Sequence, residues 1–234
     1  MQDPLIQRIS HILSLSPAII YAGRVDEPFY LTFISENLTT HFGFDTKICL
    51  RNPDFWRDLI HPDDVECVFD DYTRISANGF HKHEYRLRKE DGEYLWVLDE
   101  LRLVRDASGH PLEVVGSWLD ITDRKVTEEA LQKSEKLFRD FFQTNPVATI
   151  VSSTDGVVHM VNPAFTGQTD FTAEEVVGRT AQELGFWQIP EDRERMVSAI
   201  QKFGFIDNLE SPFYGKGARS MTCLISSRAV DLGG

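Results

Sequence analysis

The chain has 234 residues, a formal net charge of −13 and 41% hydrophobic residues. Such an acidic chain, with only short basic runs, argues against general binding to nucleic acid and against direct contact with anionic membrane surfaces. The three cysteines, Cys49, Cys67 and Cys223, are far apart and predict neither a disulfide framework nor a zinc site, so we expect a reducing, cytoplasmic location. The apolar runs are too short to span a bilayer, and the N-terminus does not resemble a signal peptide.

The N-terminal half of the sequence predicts one α+β domain. An amphipathic helix over residues 1–15 comes first, because Ile9, Ile12 and Leu13 have helical spacing and precede a proline. The segments that follow predict elements in this order: strands at 18–23 and 29–35, helices at 55–59 and 62–76, and strands at 81–88, 94–105 and 112–121. Two strands, a helical crossover and a three-stranded meander predict an antiparallel sheet covered on one face by helices, over residues 16–122.

A strongly charged segment, residues 123–144, predicts a linker helix. Its apolar residues form two stripes at helical spacing. In one interpretation the late aromatic residues pack on the domain that follows. In the other, the stripes and the N-terminal helix form a seam between two copies of the chain. We therefore expect a homodimer. Its contact residues would be Ile9, Ile12, Leu13, Leu131, Leu137 and Phe138.

The two halves of the chain correspond to each other as an internal repeat of roughly 130 residues. Five landmarks occur in the same order: Ser16–Ala18 and Asn145–Val147, Phe33–Ser35 and Met160–Asn162, Gly43–Phe44 and Asp170–Phe171, Phe55–Trp56 and Phe186–Trp187, Pro62–Asp64 and Pro190–Asp192. This repeat predicts a second domain over residues 145–234. Because Gly234 aligns with Gly109, we expect the second domain to have no counterpart of the strand at 112–121.

Several segments resemble the PAS family of domains. The resemblance rests on six segments: Tyr85–Trp96 with its Asp-Gly turn, the turn at Asp106–Gly109, Gly116–Thr122, His61–Asp64, and Asp155–Val158 and Val161–Phe165 in the second half. It implies two PAS domains in tandem, each a five-stranded antiparallel sheet with helices. In this family the last strand is central in the sheet, so a second domain without it is expected to be less stable.

The resemblance also implies a function. PAS domains of this type are sensor modules of bacterial-type signalling proteins, and we expect a downstream output domain, a histidine kinase first and a cyclic-di-nucleotide cyclase or phosphodiesterase second. No phosphate-binding loop, nucleophile elbow or zinc motif occurs, so this segment is predicted not to be an enzyme and no catalytic or metal-binding residue is assigned. A ligand-free interaction module and a flavin- or haem-dependent sensor remain as alternatives.

Asp120, Ile121 and Thr122 lie where the last strand of the first domain passes into the linker helix. Asp120, Thr122 and the following Asp123 belong to residue types that cap free N–H groups at a helix start. The family resemblance implies a second role, in which this triplet relays a signal from the sheet to the helix, with Asp120 paired to Arg124. The two interpretations are compatible.

The histidines do not favour haem. PAS haem sensors carry the axial histidine in the long helix, and neither residues 65–76 nor residues 191–201 contain one. His61 is expected to cap a helix, and His81 and His83 to be solvated on one face of a strand. We therefore expect no haem.

Flavin is the alternative to a domain without cofactor. The Asn-Cys-Arg-Phe motif of flavin-binding PAS domains is absent, and Cys49 and Cys67 are expected to be small buried apolar residues, so any flavin would be non-covalent. We expect any small-molecule ligand inside the first domain, between the sheet and residues 65–72. The sequence does not decide which face of the strand at 94–105 points into the core, because its odd-numbered and even-numbered positions both carry apolar residues.

Overall fold

Residues 4–24, 30–73 and 79–231 are described by the structure, a computed structural model of the chain. The chain divides into two units between Leu131 and Gln132. Parts of the predicted elements, at residues 1–3, 29, 74–76 and 232–234, lie outside the described residues.

The first unit contains one five-stranded antiparallel sheet, as the sequence predicts. Its strands are β1 (Ala18–Gly23), β2 (Leu31–Ile34), β3 (Phe80–Arg88), β4 (Tyr94–Arg105) and β5 (Pro111–Asp120). Its helices are α1 (Pro4–Ser14), α2 (Leu38–Phe42), α3 (Thr46–Cys49), α4 (Phe55–Leu59) and α5 (Val65–Thr73). The strand order is β2-β1-β5-β4-β3, so the last strand in the chain lies between β1 and β4 at the centre.

The core of the first unit lies between the sheet and its helices. On β4 the odd-numbered residues Val97, Asp99 and Leu101 are at most 3% exposed, whereas Trp96 and Leu98 on the other face are half-buried. The odd-numbered positions of β4 therefore face the core, a choice between its two faces that the sequence did not decide. Apolar residues of α2, α4 and α5 cover this face of the sheet.

A short 3₁₀ turn at Pro62–Asp64 leads into α5. The His61 ring accepts a hydrogen bond on Nδ1 from the backbone N–H of Asp63 at 3.2 Å. The predicted capping role of His61 is thus confirmed. Beyond the turn, Val68 of α5 is buried in the core and Val65 and Phe69 pack against it.

The second unit contains two separate pairs of strands. A single helix, α6 (Thr122–Thr144), contains the boundary between the units. The elements after it are β6 (Ile150–Ser152), β7 (Val158–Val161), α7 (Pro163–Thr169), α8 (Ala173–Val176), α9 (Pro190–Phe203), β8 (Phe205–Tyr214) and β9 (Ser220–Arg228). Within the described residues β6 pairs with β7 and β8 with β9, and no strand joins the two pairs. The prediction that a counterpart of β5 is lacking is confirmed.

The first hairpins of the two units close with the same hydrogen bonds. In the first, the N–H of Ile20 donates to Ser35 Oγ at 2.8 Å and the N–H of Ser35 donates to the Ile20 carbonyl at 2.9 Å. In the second, the N–H of Thr149 donates to Asn162 Oδ1 at 2.9 Å and the N–H of Asn162 donates to the Thr149 carbonyl at 3.1 Å. The alignment of Ser35 with Asn162 is therefore confirmed.

The edge of β6 predicts a difference in amide exchange between equivalent residues. Ile20 and Thr149 bond toward the second strand of their hairpins, so the next residues, Tyr21 and Ile150, direct their amides to the opposite side. Tyr21 there faces Gly116 of β5, whereas none of the described strands pairs with that side of Ile150. Ile150 should therefore exchange about tenfold faster than Tyr21, or more, in native-state hydrogen exchange followed by NMR.

Val151 provides the internal control for this comparison. It is paired with Met160 of β7, so its amide should exchange more slowly than that of Ile150 although the two are neighbours. Equal protection of Ile150 and Tyr21 would show that another segment covers the outer edge of β6.

Candidate functional site

Asp99 on β4 is the centre of a buried polar cluster in the first unit. Its side chain is 1% exposed, and its two carboxyl oxygens accept hydrogen bonds from the hydroxyls of Tyr21 at 2.7 Å and Tyr85 at 2.8 Å. Trp56 of α4 donates its indole N–H to the Tyr85 hydroxyl at 2.9 Å. The cluster therefore joins β1, β3, β4 and α4 in a place where water does not compete for these bonds.

Two histidines extend this Asp99 cluster along β3. His83 Nε2 lies 3.8 Å from Asp99 Oδ2, and the His83 ring contacts the rings of Tyr85 and His81 at centroid distances of 4.7 and 4.8 Å. The His83 side chain is 12% exposed, and His81 on the same face is half-buried. The expectation that both are solvated is wrong, because the odd-numbered residues of β3 face the core.

Gly116 on β5 gives Tyr21 the space to reach Asp99. Gly116 lies opposite Tyr21 of β1 on one side and opposite Leu101 of β4 on the other. A Cβ atom at residue 116 would lie 2.4 Å from both Cζ and the hydroxyl oxygen of Tyr21. Atoms in a close-packed core do not approach so closely. Glycine therefore allows the tyrosine to cross the central strand and bond to the strand beyond it.

The environment of Tyr85 keeps its hydroxyl protonated. Burial raises the pKa of Tyr85 well above its usual range and the charge of Asp99 raises it further, while the indole N–H of Trp56 partly offsets this rise. Tyr85 therefore acts as a donor to Asp99 at neutral pH. Burying a carboxyl group is costly unless it is hydrogen-bonded, and the two phenols supply the bonds.

Asp99 is a site residue that sequence reasoning misses. A lone aspartate on a strand is usually exposed, and β4 has apolar residues on both faces. The available signal is that Asp99 shares its face with Val97 and Leu101, since an acid within a buried alternation needs donors. The donors themselves, Tyr21 and Tyr85, are identified only by the sheet.

The junction at Asp120–Thr122 is hydrogen-bonded directly to β4. The N–H of Ile121 donates to the Trp96 carbonyl at 2.9 Å, and the N–H of Trp96 donates to Thr122 Oγ1 at 3.0 Å. Asp120 Oδ1 accepts from the N–H of Thr122 at 2.8 Å and so satisfies an amide at the start of α6. Asp120 therefore acts as a cap, whereas Thr122 joins the helix to the neighbouring strand.

Arg124 pairs with Glu84 of β3, so the expected Asp120–Arg124 pair is wrong. Arg124 Nη2 lies 2.5 Å from Glu84 Oε1, and Lys125 Nζ lies 2.6 Å from Glu84 Oε2. The physical reason is that Asp120 bonds to the backbone of the helix start, while the side chains of the first turn reach β3. Hydrogen bonds from Lys125 and Arg124 lower the pKa of Glu84.

The two cysteines of the first unit have different environments. Cys49 is buried, as expected, but Cys67 is exposed. The expectation for Cys67 is wrong because α5 turns the next residue, Val68, toward the core. Burial raises the pKa of the Cys49 thiol to about 11, so it is protonated at neutral pH and packs as a small apolar residue.

The residues predicted for self-association lie on α1 and α6. Leu13 is half-buried. The other five are exposed: Ile9, Ile12, Leu131, Leu137 and Phe138. Phe138 stacks on the buried Phe142 with their ring centroids 5.9 Å apart, so one late aromatic residue of α6 is covered and others are not. Both helices therefore present apolar side chains to the surface.

The described part of the chain has neither a metal-binding cluster nor a membrane-spanning helix. There, no group of three or more His, Cys, Asp or Glu side chains is arranged to hold a metal ion. The described helices include none with the length and hydrophobicity needed to cross a membrane. His83 contacts both His81 and Asp99, and these three side chains do not form such a group.

Both units match profiles of one family. The profile described as "PAS fold" matches residues 31–118, and the profile described as "PAS domain" matches residues 146–234. The first match contains β2 to β4, most of β5 and Asp99 with Tyr85 and Trp56, while Tyr21 lies before it. The second match contains every described strand of the second unit. The chain belongs to the PAS family and contains two PAS domains in tandem.

Similar proteins include sensors of two-component systems. The chain is 31% identical over 197 residues to the two-component sensor PprA of Pseudomonas aeruginosa, and this alignment covers 82% of this chain and 20% of that protein. It is 28% identical over 152 residues to the sensor protein FixL of Bradyrhizobium diazoefficiens, which covers 64% of this chain and 29% of that protein. A solved structure of a sensory box histidine kinase/response regulator from Burkholderia thailandensis has 26% identity and a TM-score of 0.44, and the match covers 57% of this chain and 98% of that one. The chain thus spans less than a third of the length of these two curated relatives.

The contact between Gly116 and Tyr21 predicts the effect of a small substitution. Gly116→Ala should destabilise the first domain by about 1–3 kcal/mol, because the added methyl group requires Tyr21 to move away from Asp99. Hydrogen exchange at the buried amide of Val97 reports this domain without contribution from the second. The added cost should disappear in a Tyr21→Leu background, where the clashing ring atoms are absent.

Gly167→Ala is the matched control for this substitution. Gly167 lies in α7 of the second domain, and a Cβ there would have no neighbour within 4 Å. It should therefore leave exchange at Val97 unchanged. If Gly116→Ala also left Val97 unchanged, the role given to Gly116 would be wrong.

Proposed function

We propose that the chain is the sensory part of a longer signal-transduction protein, in which the state of the first PAS domain is relayed through α6 to a downstream output domain. A histidine kinase is the proposed output, and the similarity to a two-component sensor over most of this chain supports it. A cyclic-di-nucleotide cyclase or phosphodiesterase is the alternative output. The relay would act as a shift between two populated arrangements of sheet and helix.

The observation that carries this proposal is the direct bonding of α6 to β4. Trp96 uses both of its backbone groups to hold Ile121 and Thr122, at 2.9 and 3.0 Å. Three residues further along the same strand, Asp99 is buried in the core. A displacement of β4 caused by a change in the core would therefore move the first turn of α6.

The proposed sensing site is the inner face of the first domain, between the sheet and α5. There Asp99, Tyr85 and His83 place polar groups within an apolar wall, the composition of many small-molecule sites. The second candidate is a ligand-free interaction module, which is supported by the large side chains of Trp118 and Phe42 that are almost fully buried in the same interior. A visible absorption spectrum of freshly purified protein tests for the third possibility, a flavin- or haem-dependent sensor. Flavin and haem absorb visible light, whereas a ligand-free module and a site for a colourless ligand do not.

The protein is further proposed to work as a homodimer. In this proposal residues 1–15 and 123–144 are helices that lead into domains of residues 16–122 and 145–234. The exposed apolar residues of α1 and α6 support self-association, because Leu137 is 72% and Ile9 is 48% exposed. Two parallel copies of α6 would bury such residues against each other.

Charge substitution on α6 tests the dimer. Leu137→Lys should weaken self-association by about tenfold or more, because the loss of one buried leucine costs at least roughly 1.4 kcal/mol. Gln132→Lys adds the same charge at an exposed polar position of the same helix and is the control. Sedimentation equilibrium measures both, and a wild-type chain that stays monomeric at high micromolar concentration would refute the dimer.

A chimera tests the relay. The chain would replace the sensory region of a two-component histidine kinase, and autophosphorylation would be measured. Thr122→Val removes the acceptor for the N–H of Trp96 and should change autophosphorylation by about two- to tenfold, the range expected for one hydrogen bond. Thr127→Val removes a hydroxyl that bonds only within α6, to the carbonyl of Asp123, and should have no effect. Equal responses of the two variants would contradict the relay through Thr122.

A further inference from the structure

We propose that the indole of Trp96 couples the loop that precedes α5 to the first turn of α6, which makes Trp96 a positioning residue for the relay. This inference rests on the proposed function and specifies a route for it on the outer face of the sheet. The route runs from Asp64 through Arg86 and Trp96 to Lys125 and Glu84.

Asp64 holds the Arg86 side chain at the α5 end of the route. Its carboxyl oxygens accept hydrogen bonds from the backbone N–H of Arg86 at 2.9 Å, from Nε at 2.9 Å and from Nη2 at 2.7 Å. Burial would raise the pKa of Asp64, but the bonds from Arg86 outweigh it and the pKa is lowered. Such bidentate geometry sets the orientation of the guanidinium group. Because Asp64 ends the turn that leads into α5, that orientation depends on the position of α5.

Arg86 and Lys125 both contact the ring of Trp96. The Arg86 Cζ atom lies 5.4 Å and the Lys125 Nζ atom 5.0 Å from the ring centroid. Arg86 and Trp96 face each other in the register of β3 and β4. The other cation–π contacts within the described part of the chain each place one cation on a ring. Trp96 thus joins cations from two elements, β3 and α6, through one side chain.

Glu84 holds the α6 end of the route in place. It accepts from Lys125 and Arg124 together and, like Arg86, belongs to the even-numbered face of β3. The backbone of Trp96 bonds to Ile121 and Thr122 at the same helix start. The side chain and the backbone of one residue therefore both determine where α6 begins.

A change in the core can reach this route through α5. Val68 of α5 is 1% exposed, and the Phe69 ring lies 5.4 Å from the ring of Trp56. Trp56 in turn bonds to Tyr85 of the Asp99 cluster. A ligand or a repacking that displaces α5 would therefore move Asp64, and with it the Arg86 guanidinium on Trp96. This is a connected set of physical contacts, for which a coupling energy can be measured.

Native-state hydrogen exchange on the full chain tests the coupling. Asp64→Asn should raise exchange at Val126, in the first turns of α6, by about threefold, the size expected for a partly exposed cation–π contact. In a Trp96→Leu background the same change should have no further effect on Val126. Trp96→Phe, which keeps an aromatic face, should restore part of the coupling.

A second variant, on the surface of α6, tests the same coupling in the opposite direction and leaves the contacts of Asp64 and the buried residues unchanged. Coupling between two sites acts equally in both directions. Lys125→Met, a substitution on the helix surface, should therefore raise exchange at Phe69 in α5 by about the same factor. An unchanged Phe69 would overturn the proposal even if Asp64→Asn proved too destabilising to interpret.

Glu66→Gln is the matched control, because it removes an exposed carboxylate from α5 and should leave Val126 unchanged. The amide of Val97 monitors general destabilisation of the domain. If Asp64→Asn accelerated Val97 and Val126 equally, or acted equally with and without Trp96, the coupling through Trp96 would be wrong. These experiments measure hydrogen exchange and not kinase output, so a negative result would refute the coupling through Trp96 without refuting the relay through Thr122. Conversely, a kinase chimera that does not respond would refute the relay without refuting the coupling through Trp96.

Discussion

A single buried carboxyl group, that of Asp99, is the constraint on which the first PAS domain depends. It accepts from Tyr21 and Tyr85, which lie on strands to either side of β4, and Tyr21 reaches it only by crossing the central strand at Gly116. An unpaired buried polar group costs about 1–3 kcal/mol. Several such costs would take much of the stability of about 5–15 kcal/mol that domains of this kind have. The positions of β1, β3, β4 and α4 are therefore linked through one side chain.

The strand that carries Asp99 also begins the linker helix. β4 points Asp99 into the core and Trp96 to the opposite face, and the backbone of Trp96 bonds to Ile121 and Thr122. Because a strand is stiff over three residues, this arrangement supports the proposed coupling between the core and the helix start. A sensory role needs such a connection, and in this chain it follows from the central placement of β4 and β5. The same placement explains why the junction residues bond to a strand and not only to their own helix.

The second domain shows what the central strand contributes. Its first hairpin repeats the hydrogen bonds of the first domain, through Thr149 and Asn162, but its two strand pairs are separate within the described residues. A smaller core around Phe165 and Phe186 holds the pairs to the rest of the domain. Backbone hydrogen bonds add to it, such as the one from the N–H of Tyr214 to the Phe186 carbonyl at 2.8 Å. Asp192 of α9 accepts from Ser211 of β8 at 2.9 Å and adds a polar contact between helix and hairpin. The position equivalent to Tyr21 is Ile150, which has no hydroxyl to offer, so the Tyr21–Asp99 bond has no counterpart at this position.

The sequence by itself determined the repeat, the strands and their order in the chain, the cap at His61 and, for the described residues of the second domain, the lack of a counterpart of β5. These follow from local periodicity, turn residues and alignment of the two halves. It could not determine which face of β4 is buried, since both faces carry apolar residues, and it therefore missed Asp99. It also placed His83 in solvent, because the buried face of β3 was not identified. It paired Arg124 with Asp120, four residues away, whereas the structure pairs it with Glu84, 40 residues away. The Tyr21–Asp99 bond spans 78 residues. Only the tertiary structure decided these contacts, because the order of strands in the sheet, and not proximity along the chain, brings their partners within hydrogen-bonding distance.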